Sequence, residues 1–138
     1  MEYYEPKTYS HEEVENIIKN EKGTELNYMI VGVVYNEPDV NYAFKIVKKY
    51  CFDLDISLQA LAIGCIADLS RIHDCIPIEE IKQLLHEIIE GKDSYRLEIM
   101  GNMRDVLGAL SFYAPEIYKS IRAKYPVYCK EIGCDDEQ

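Results

Sequence analysis

The sequence predicts an all-α fold of about seven helices, folded back on one another as stacked antiparallel hairpins. Three observations carry that expectation. Apolar residues recur at spacings of three and four along most of the chain, and no segment reads as a convincing strand. Pro38, Pro77 and Pro115 each stand at a helix start, roughly 38 residues apart. One long run, Asp55 to His73, reads as a helix packed on both flanks. Leu58, Leu61, Ala62, Cys65, Ile66, Leu69 and Ile72 make its apolar face, and Ser57, Gly64, Asp68 and Arg71 leave a narrow polar strip.

The remaining elements follow in order. After an extended lead-in over residues 1–9, Ser10 and Glu13 form a capping box. Val14, Ile17 and Ile18 then mark a short first helix ending near Gly23. Thr24 caps a second helix with Leu26, Met29, Ile30, Val33 and Val34 inward and Tyr28, Gly32 and Tyr35 on its other side. The β-branched residues of that helix suit a strand by composition, but the spacing and the helical neighbours favour a helix. Asn36 to Asp39 turn the chain into a third helix, which runs to about Phe52 through Val40, Ala43, Phe44, Ile46, Val47 and Tyr50. Asp53 to Asp55 turn it into the long fourth helix.

Residues 73–76 connect to a fifth helix opened by Pro77. Ile78, Ile81, Leu84, Leu85, Ile88 and Ile89 face inward, and Gly91 is its stop. Asp93 or Ser94 caps a sixth, apolar at Leu97, Ile99, Met100, Met103, Val106, Leu107, Leu110 and Phe112. Pro115 opens a seventh through Ile117, Tyr118 and Ile121, broken at Tyr125 and Pro126. The acidic tail, Gly133 to Gln138, is expected to fray.

Length and composition set the outer limits. At 138 residues the chain is expected to form one domain, long enough to bury about two-thirds of its unfolded surface. No segment approaches the ~18 apolar residues of a membrane span. The N-terminus lacks the basic and apolar regions of a signal peptide, so the expected location is the cytoplasm. Cys51, Cys65, Cys75, Cys129 and Cys134 are an odd set, read as reduced packing thiols, since neither Cys129-x4-Cys134 nor His73-Asp74-Cys75 has zinc-ligand spacing. No metal or other cofactor is expected.

Charge is the strongest compositional signal: 25 Asp plus Glu against 15 Lys plus Arg leave a formal charge of -10. Such a chain repels nucleic acid and anionic membranes and speeds encounter with basic proteins, although ordinary acidic solubility reads the same way. Nucleotide loops, nucleophile elbows and His-Glu-x-x-His are all missing, so the chain is not read as an enzyme. His86-Glu87 lacks a second histidine and is expected to be solvent-exposed. A carboxylate metal site would need acids converging from several helices, which the sequence leaves open.

Self-comparison supplies the architecture. Laying the sixth helix on the fourth puts Gly101 on Gly64, Met103 on Ile66, Asp105 on Asp68 and Val106 on Leu69. A two-helix period near 38 residues is that of a HEAT-like α-solenoid. The expected units are residues 10–36, 38–73 and 77–113, with a C-terminal cap at 115–132, in one domain spanning 1–138. One hairpin cannot bury both faces of its helices, so hairpins stack and their second helices line a shallow concave surface. Gly64 and Gly101 would admit a neighbouring backbone. The concave surface is expected to carry Tyr28, Tyr35, Asp68, Arg71, Glu98, Asn102 and Asp105, an acidic and tyrosine-rich set suited to a basic protein.

Two segments, Val33 to Asp39 and Ala60 to His73 with its ending Asp68-Leu69-Ser70-Arg71-Ile72-His73, resemble small bacterial HEAT-repeat immunity proteins of polymorphic or contact-dependent toxin systems. The resemblance spans roughly residues 26–114. Family members have Val-Arg where this chain has Leu58-Gln59 and an aromatic where it has Val40; if those positions touch a partner, the partner here differs. The resemblance implies a monomeric inhibitor that forms a 1:1 complex with one cognate toxin and blocks its active site or substrate groove. By that pattern Tyr35, Glu37, Asp39, Asp68, Arg71 and His73 are the contact candidates. That the toxin is a basic nuclease is an expectation from charge alone.

Each candidate also has a plainer role. Asp68 and Asp105 either bind a partner's Lys or Arg or pair internally, Asp68 with Arg104 and Asp105 with Arg71. Arg71 and His73 brace the connection before Pro77, Glu37 and Asp39 favour a helix N-terminus, and Tyr28 and Tyr35 simply pack. The same array would also serve as a cytosolic protein–protein adaptor.

Overall fold

The structure, a computed structural model, describes residues 5–20 and 23–134. The described residues form eight helices and no strand: α1 (His11–Asn20), α2 (Gly23–Asn36), α3 (Val40–Tyr50), α4 (Ile56–Ile72), α5 (Ile78–Glu90), α6 (Leu97–Tyr113), α7 (Pro115–Lys124) and α8 (Pro126–Glu131). The eighth arises where the sequence expectation placed only a break. Tyr125 leaves helical geometry and Pro126 restarts it at the first position of α8, where its missing N–H costs nothing. The expectation of fraying at Asp135–Gln138 lies outside the described residues, as do residues 1–4 of the lead-in.

Local chemistry accounts for most helix starts. The Ser10 N–H donates to Glu13 Oε1 at 2.8 Å and the Glu13 N–H to Ser10 Oγ at 3.1 Å, the reciprocal pair of a capping box. Asp39 caps α3 by accepting from the N–H groups of Asn41 and Tyr42, and Asp55 caps α4 by accepting from Ser57 and Leu58. Pro38 therefore precedes a cap and does not itself open α3. At α6 neither Asp93 nor Ser94 is the cap; Arg96 is. The Ser94 hydroxyl donates back to the Gly91 carbonyl and the Arg96 N–H donates to the Asp93 carbonyl, so these residues close a turn before the helix begins.

The helices stack in two rows. α1 packs on α2 and α3 on α4, while α2, α4 and α6 follow one another with α4 between its neighbours. α7 lies against α5, α6 and α8. The α4–α6 contact is the most extensive among the described residues, and both helices send wholly buried side chains into the core, Ile63 and Ile66 from α4 and Met103 and Leu107 from α6. At about 25 cal/mol per Å² of apolar surface, such side chains dominate the favourable side of folding. Four residues assigned inward by their hydrophobicity face out instead: Leu97 and Phe112 are 83% and 78% exposed, with Ile72 and Leu61 partly so.

The lead-in closes one end of the stack. Residues 5–9 run along the outer flank of α2, where the Asn36 Nδ2 donates to the Pro6 carbonyl at 2.8 Å. A Cβ on Gly32 would meet the Lys7 carbonyl oxygen and the Tyr9 ring, so that glycine is what admits the strap. At the other end the Tyr128 hydroxyl donates to the Ser94 carbonyl at 3.0 Å, tying α8 to the α5–α6 connection. Capped ends are a physical requirement of stacked hairpins, whose terminal faces would otherwise be left open.

Candidate functional site

Stacking α2, α4 and α6 side by side leaves an open concavity of about 890 Å³ along their outward faces. Each helix contributes the side opposite its buried stripe. From α2 come Val31 and Tyr35; from α4, Leu61, Gly64, Asp68 and Arg71; from α6, Asn102, Arg104, Asp105, Gly108, Phe112 and Tyr113. This is the concave surface expected from the repeat, and it gathers five of the ten sequence candidates: Tyr35, Asp68, Arg71, Asn102 and Asp105.

A short polar network crosses its centre. Arg71 Nη1 donates to Asp68 Oδ1 at 2.7 Å, a charge-assisted bond within one helix. The Tyr35 hydroxyl reaches the same oxygen from α2 at 3.4 Å. Partial burial raises the Asp68 pKa, opposed by the Arg71 guanidinium and the Tyr35 hydrogen bond. Burial and the adjoining carboxylate likewise raise the Tyr35 pKa, so its hydroxyl stays a donor at neutral pH. Neither cross-repeat ion pair that the sequence left open forms: the partner of Asp68 is Arg71, one turn away, and Asp105 pairs with neither Arg71 nor any other cation among the described residues.

Asn102 sits where α4 and α6 approach. Its Nδ2 donates to the Glu98 carbonyl at 2.9 Å on its own helix, and its Oδ1 lies 2.5 Å from where a Cβ on Gly64 would stand. Gly64 thus admits a side chain, not the backbone that the sequence suggested. Gly101 admits nothing at all, since a Cβ there would meet no atom within 4 Å.

The other five candidates lie off the concavity. Tyr28 is half exposed on α2, and Glu98 is exposed near the start of α6. Glu37 is only 10% exposed at its side chain; Oε1 meets His11 Nε2 at 3.0 Å and Oε2 accepts the Asp39 N–H at 3.1 Å. With Asp39 capping α3, both acids hold the α2–α3 turn, and the stacking of His11 on Tyr42, centroids 3.7 Å apart, ties α1 to it. The His73 ring reaches the Val34 carbonyl at 3.3 Å and braces the end of α4 on α2.

Sequence reasoning missed Phe112, Tyr113 and Arg104. The signal for Phe112 was its phase: it shares a helical stripe with Gly101, Asp105 and Gly108, away from Ile99, Met103, Val106 and Leu110. Including Arg104 and excluding Glu98 makes the lining charge-balanced, Asp68 and Asp105 against Arg71 and Arg104, where an acid-rich surface was expected. His86, expected to be exposed, is half-buried, with Nδ1 at 2.8 Å from the Tyr125 hydroxyl, which itself donates to Glu90.

Among the described residues no three His, Cys, Asp or Glu side chains converge to hold a metal ion, and no helix is long and apolar enough to cross a membrane. Cys51, Cys65 and Cys129 are buried free thiols. Burial pushes the Cys65 thiol up to about 12 and raises that of Cys51 further, which rules both out as nucleophiles near neutral pH.

No protein-family model matches the chain, and no curated protein does. Its fold does match that of a chain in the crystal structure of a CDI complex from Cupriavidus taiwanensis LMG 19424. The TM-score is 0.70 over 83% of this chain and 98% of the other, at 22% sequence identity. At that identity the likeness is one of fold.

Proposed function

We propose that this chain is an immunity protein, one that binds a cognate bacterial toxin through the α2–α4–α6 concavity and blocks the toxin's active site or substrate groove. The observation that carries the reading is the concavity itself: an open surface built by three alternate helices packed side by side, walled by exposed aromatics and charged groups. Such surfaces are where stacked helical hairpins hold protein partners, and exposed Tyr, Phe and Arg side chains are the usual anchors. A chain of this fold occurs in a CDI complex, which supports the assignment of a toxin as the partner.

The finer parts rest on the sequence. The chain acts as one HEAT-like domain, with units 10–36, 38–73 and 77–113 and a cap at 115–132. It is a monomer that forms a 1:1 complex in the cytoplasm. Tyr35, Asp68, Arg71, Asn102 and Asp105 lie within the contact surface. A formal charge of -10 suits a basic toxin such as a nuclease, whose cationic substrate groove an acidic inhibitor would find quickly and occlude. Occlusion needs no chemistry from the inhibitor, only an interface of the order of 1,600 Å² with a few well-packed anchors.

The test is rescue. The cognate toxin, sought as a toxin-like reading frame beside this gene, is expressed from an inducible promoter, with and without this chain. Survival that depends on this chain is expected. Equal killing in both arms, with this chain present and folded, would contradict the proposal.

A further inference from the structure

The charged groups of the concavity are unequally committed. Arg71 is bonded to Asp68 at 2.7 Å. Arg104 leans toward the C-terminal turn: its Cδ lies 3.2 Å from where a Cβ on Gly133 would stand, and its carbonyl accepts from the Cys134 thiol at 3.6 Å. The Asp105 carboxylate forms no hydrogen bond and no ion pair among the described residues, although it lines the same concavity and is exposed.

Around Asp105 the α6 wall is low and then aromatic. One turn on, Gly108 is bare; a Cβ there would meet nothing within 4 Å. A further turn on stands Phe112, its ring edge to face with Tyr113 at 4.9 Å between centroids. Seven residues of helix, two turns, put Asp105 and Phe112 on one face about 10 Å apart along the axis, with the bare Gly108 between them. A carboxylate that lacks a partner and an exposed ring are the two halves of a receptor for a cation: the ring face attracts it and the carboxylate bonds it. Glycine in an exposed helix interior costs about 1 kcal/mol relative to alanine, and nothing inside the molecule occupies the space it leaves.

We infer that the concavity seats one Arg or Lys side chain of the protein partner along α6, stacked on Phe112 and paired with Asp105. Arginine is the better fit, because its planar guanidinium can stack and donate two bonds at once. The net charge of -10 draws a cationic partner toward the chain, which favours this occupant. The inference rests on the reading of the concavity as the partner surface, and it adds the chemistry of the residue that enters.

The experiment uses the whole isotope-labelled chain, titrated with the blocked tripeptides Gly-Arg-Gly and Gly-citrulline-Gly, and follows the Gly101 and Gly108 amide resonances. Citrulline keeps the shape and loses the charge. The Arg peptide is expected to shift both glycines and to bind at least fivefold more tightly than the citrulline peptide. Asp105→Asn and Phe112→Ala should each weaken the Arg peptide at least fivefold; both side chains are exposed, and an unchanged spectrum elsewhere confirms a folded variant. Equal response to citrulline, or shifts confined to the acidic residues of α1, would overturn the inference. So would concentration-dependent shifts of these glycines without peptide, which would make a second copy the occupant. If the toxin still covers the concavity while the Arg peptide fails, this inference falls and the partner surface stands. A toxin bound elsewhere removes both.

Discussion

Gly32→Ala should destabilise the protein even though alanine is the better helix former. In an open helical position the exchange is worth about 0.5–1 kcal/mol in favour of alanine. At Gly32 the new methyl would meet the Lys7 carbonyl oxygen, and the Tyr9 ring at 2.6 and 2.9 Å. Backbone is among the obstacles, so no rotamer change relieves the clash and the strap must move off α2. That movement loses the bond from Asn36 to the Pro6 carbonyl, about 1 kcal/mol, and the partial burial of Tyr9 against the core, about 1.5 kcal/mol. Setting the helix gain against these losses leaves a net cost of about 1.5–2 kcal/mol. Gly108→Ala is the control, because its methyl enters open space and should stabilise by about 0.5–1 kcal/mol. Urea unfolding of the three proteins at a common slope reads both values. If Gly32→Ala stabilises as much as Gly108→Ala, residues 5–9 are not packed on α2.

Three further outcomes follow from burial and charge. Against a thiol reagent at pH 8, Cys75 should react fast and Cys134 slowly, with Cys51, Cys65 and Cys129 reacting only on unfolding; early modification of Cys65 would contradict the packing of α4. Leu107→Ala should cost about 3 kcal/mol, since the side chain is wholly buried in the core; a cost under about 1 kcal/mol would mean a looser core around α6. Asp68 has a raised pKa in the fold, so the folded state holds more protons than the unfolded one just above the ordinary carboxylate range, and its contribution weakens stability as pH rises through that window. Asp68→Asn should therefore flatten the stability-versus-pH curve there, and an unchanged curve would assign that dependence to other groups.

How far the sequence could be read depended on whether the deciding interaction was local. Helix type and order were legible because apolar spacing and the capping box at Ser10 act within a few residues, although the caps at Asp39 and Asp55 read only as parts of turns. The concave row of α2, α4 and α6 followed from the alignment of Gly101 with Gly64, although those two glycines turned out to do different things. Side-chain pairing was less legible. For Asp68 the sequence offered a partner contact or a pair across repeats with Arg104, yet Arg71 on the same helix needs no long approach and takes the bond. His86 was assigned to solvent because its partner, Tyr125, lies on a connection 39 residues away. Phe112 and Leu97 were placed inward because a hydrophobic residue was counted without its phase, and phase alone separates the core stripe of α6 from its exposed one.

The central claim is that the α2–α4–α6 concavity is the surface that holds the toxin. Amide hydrogen exchange of this chain, alone and saturated with the toxin it neutralises in the rescue experiment, tests it most directly. Slowed exchange should concentrate on the outward faces of α4 and α6 around Gly64, Asp68, Asp105 and Gly108, and on α2 near Tyr35. Protection confined to α1, α3, α5 and α7, with these residues unchanged in the complex, would contradict it.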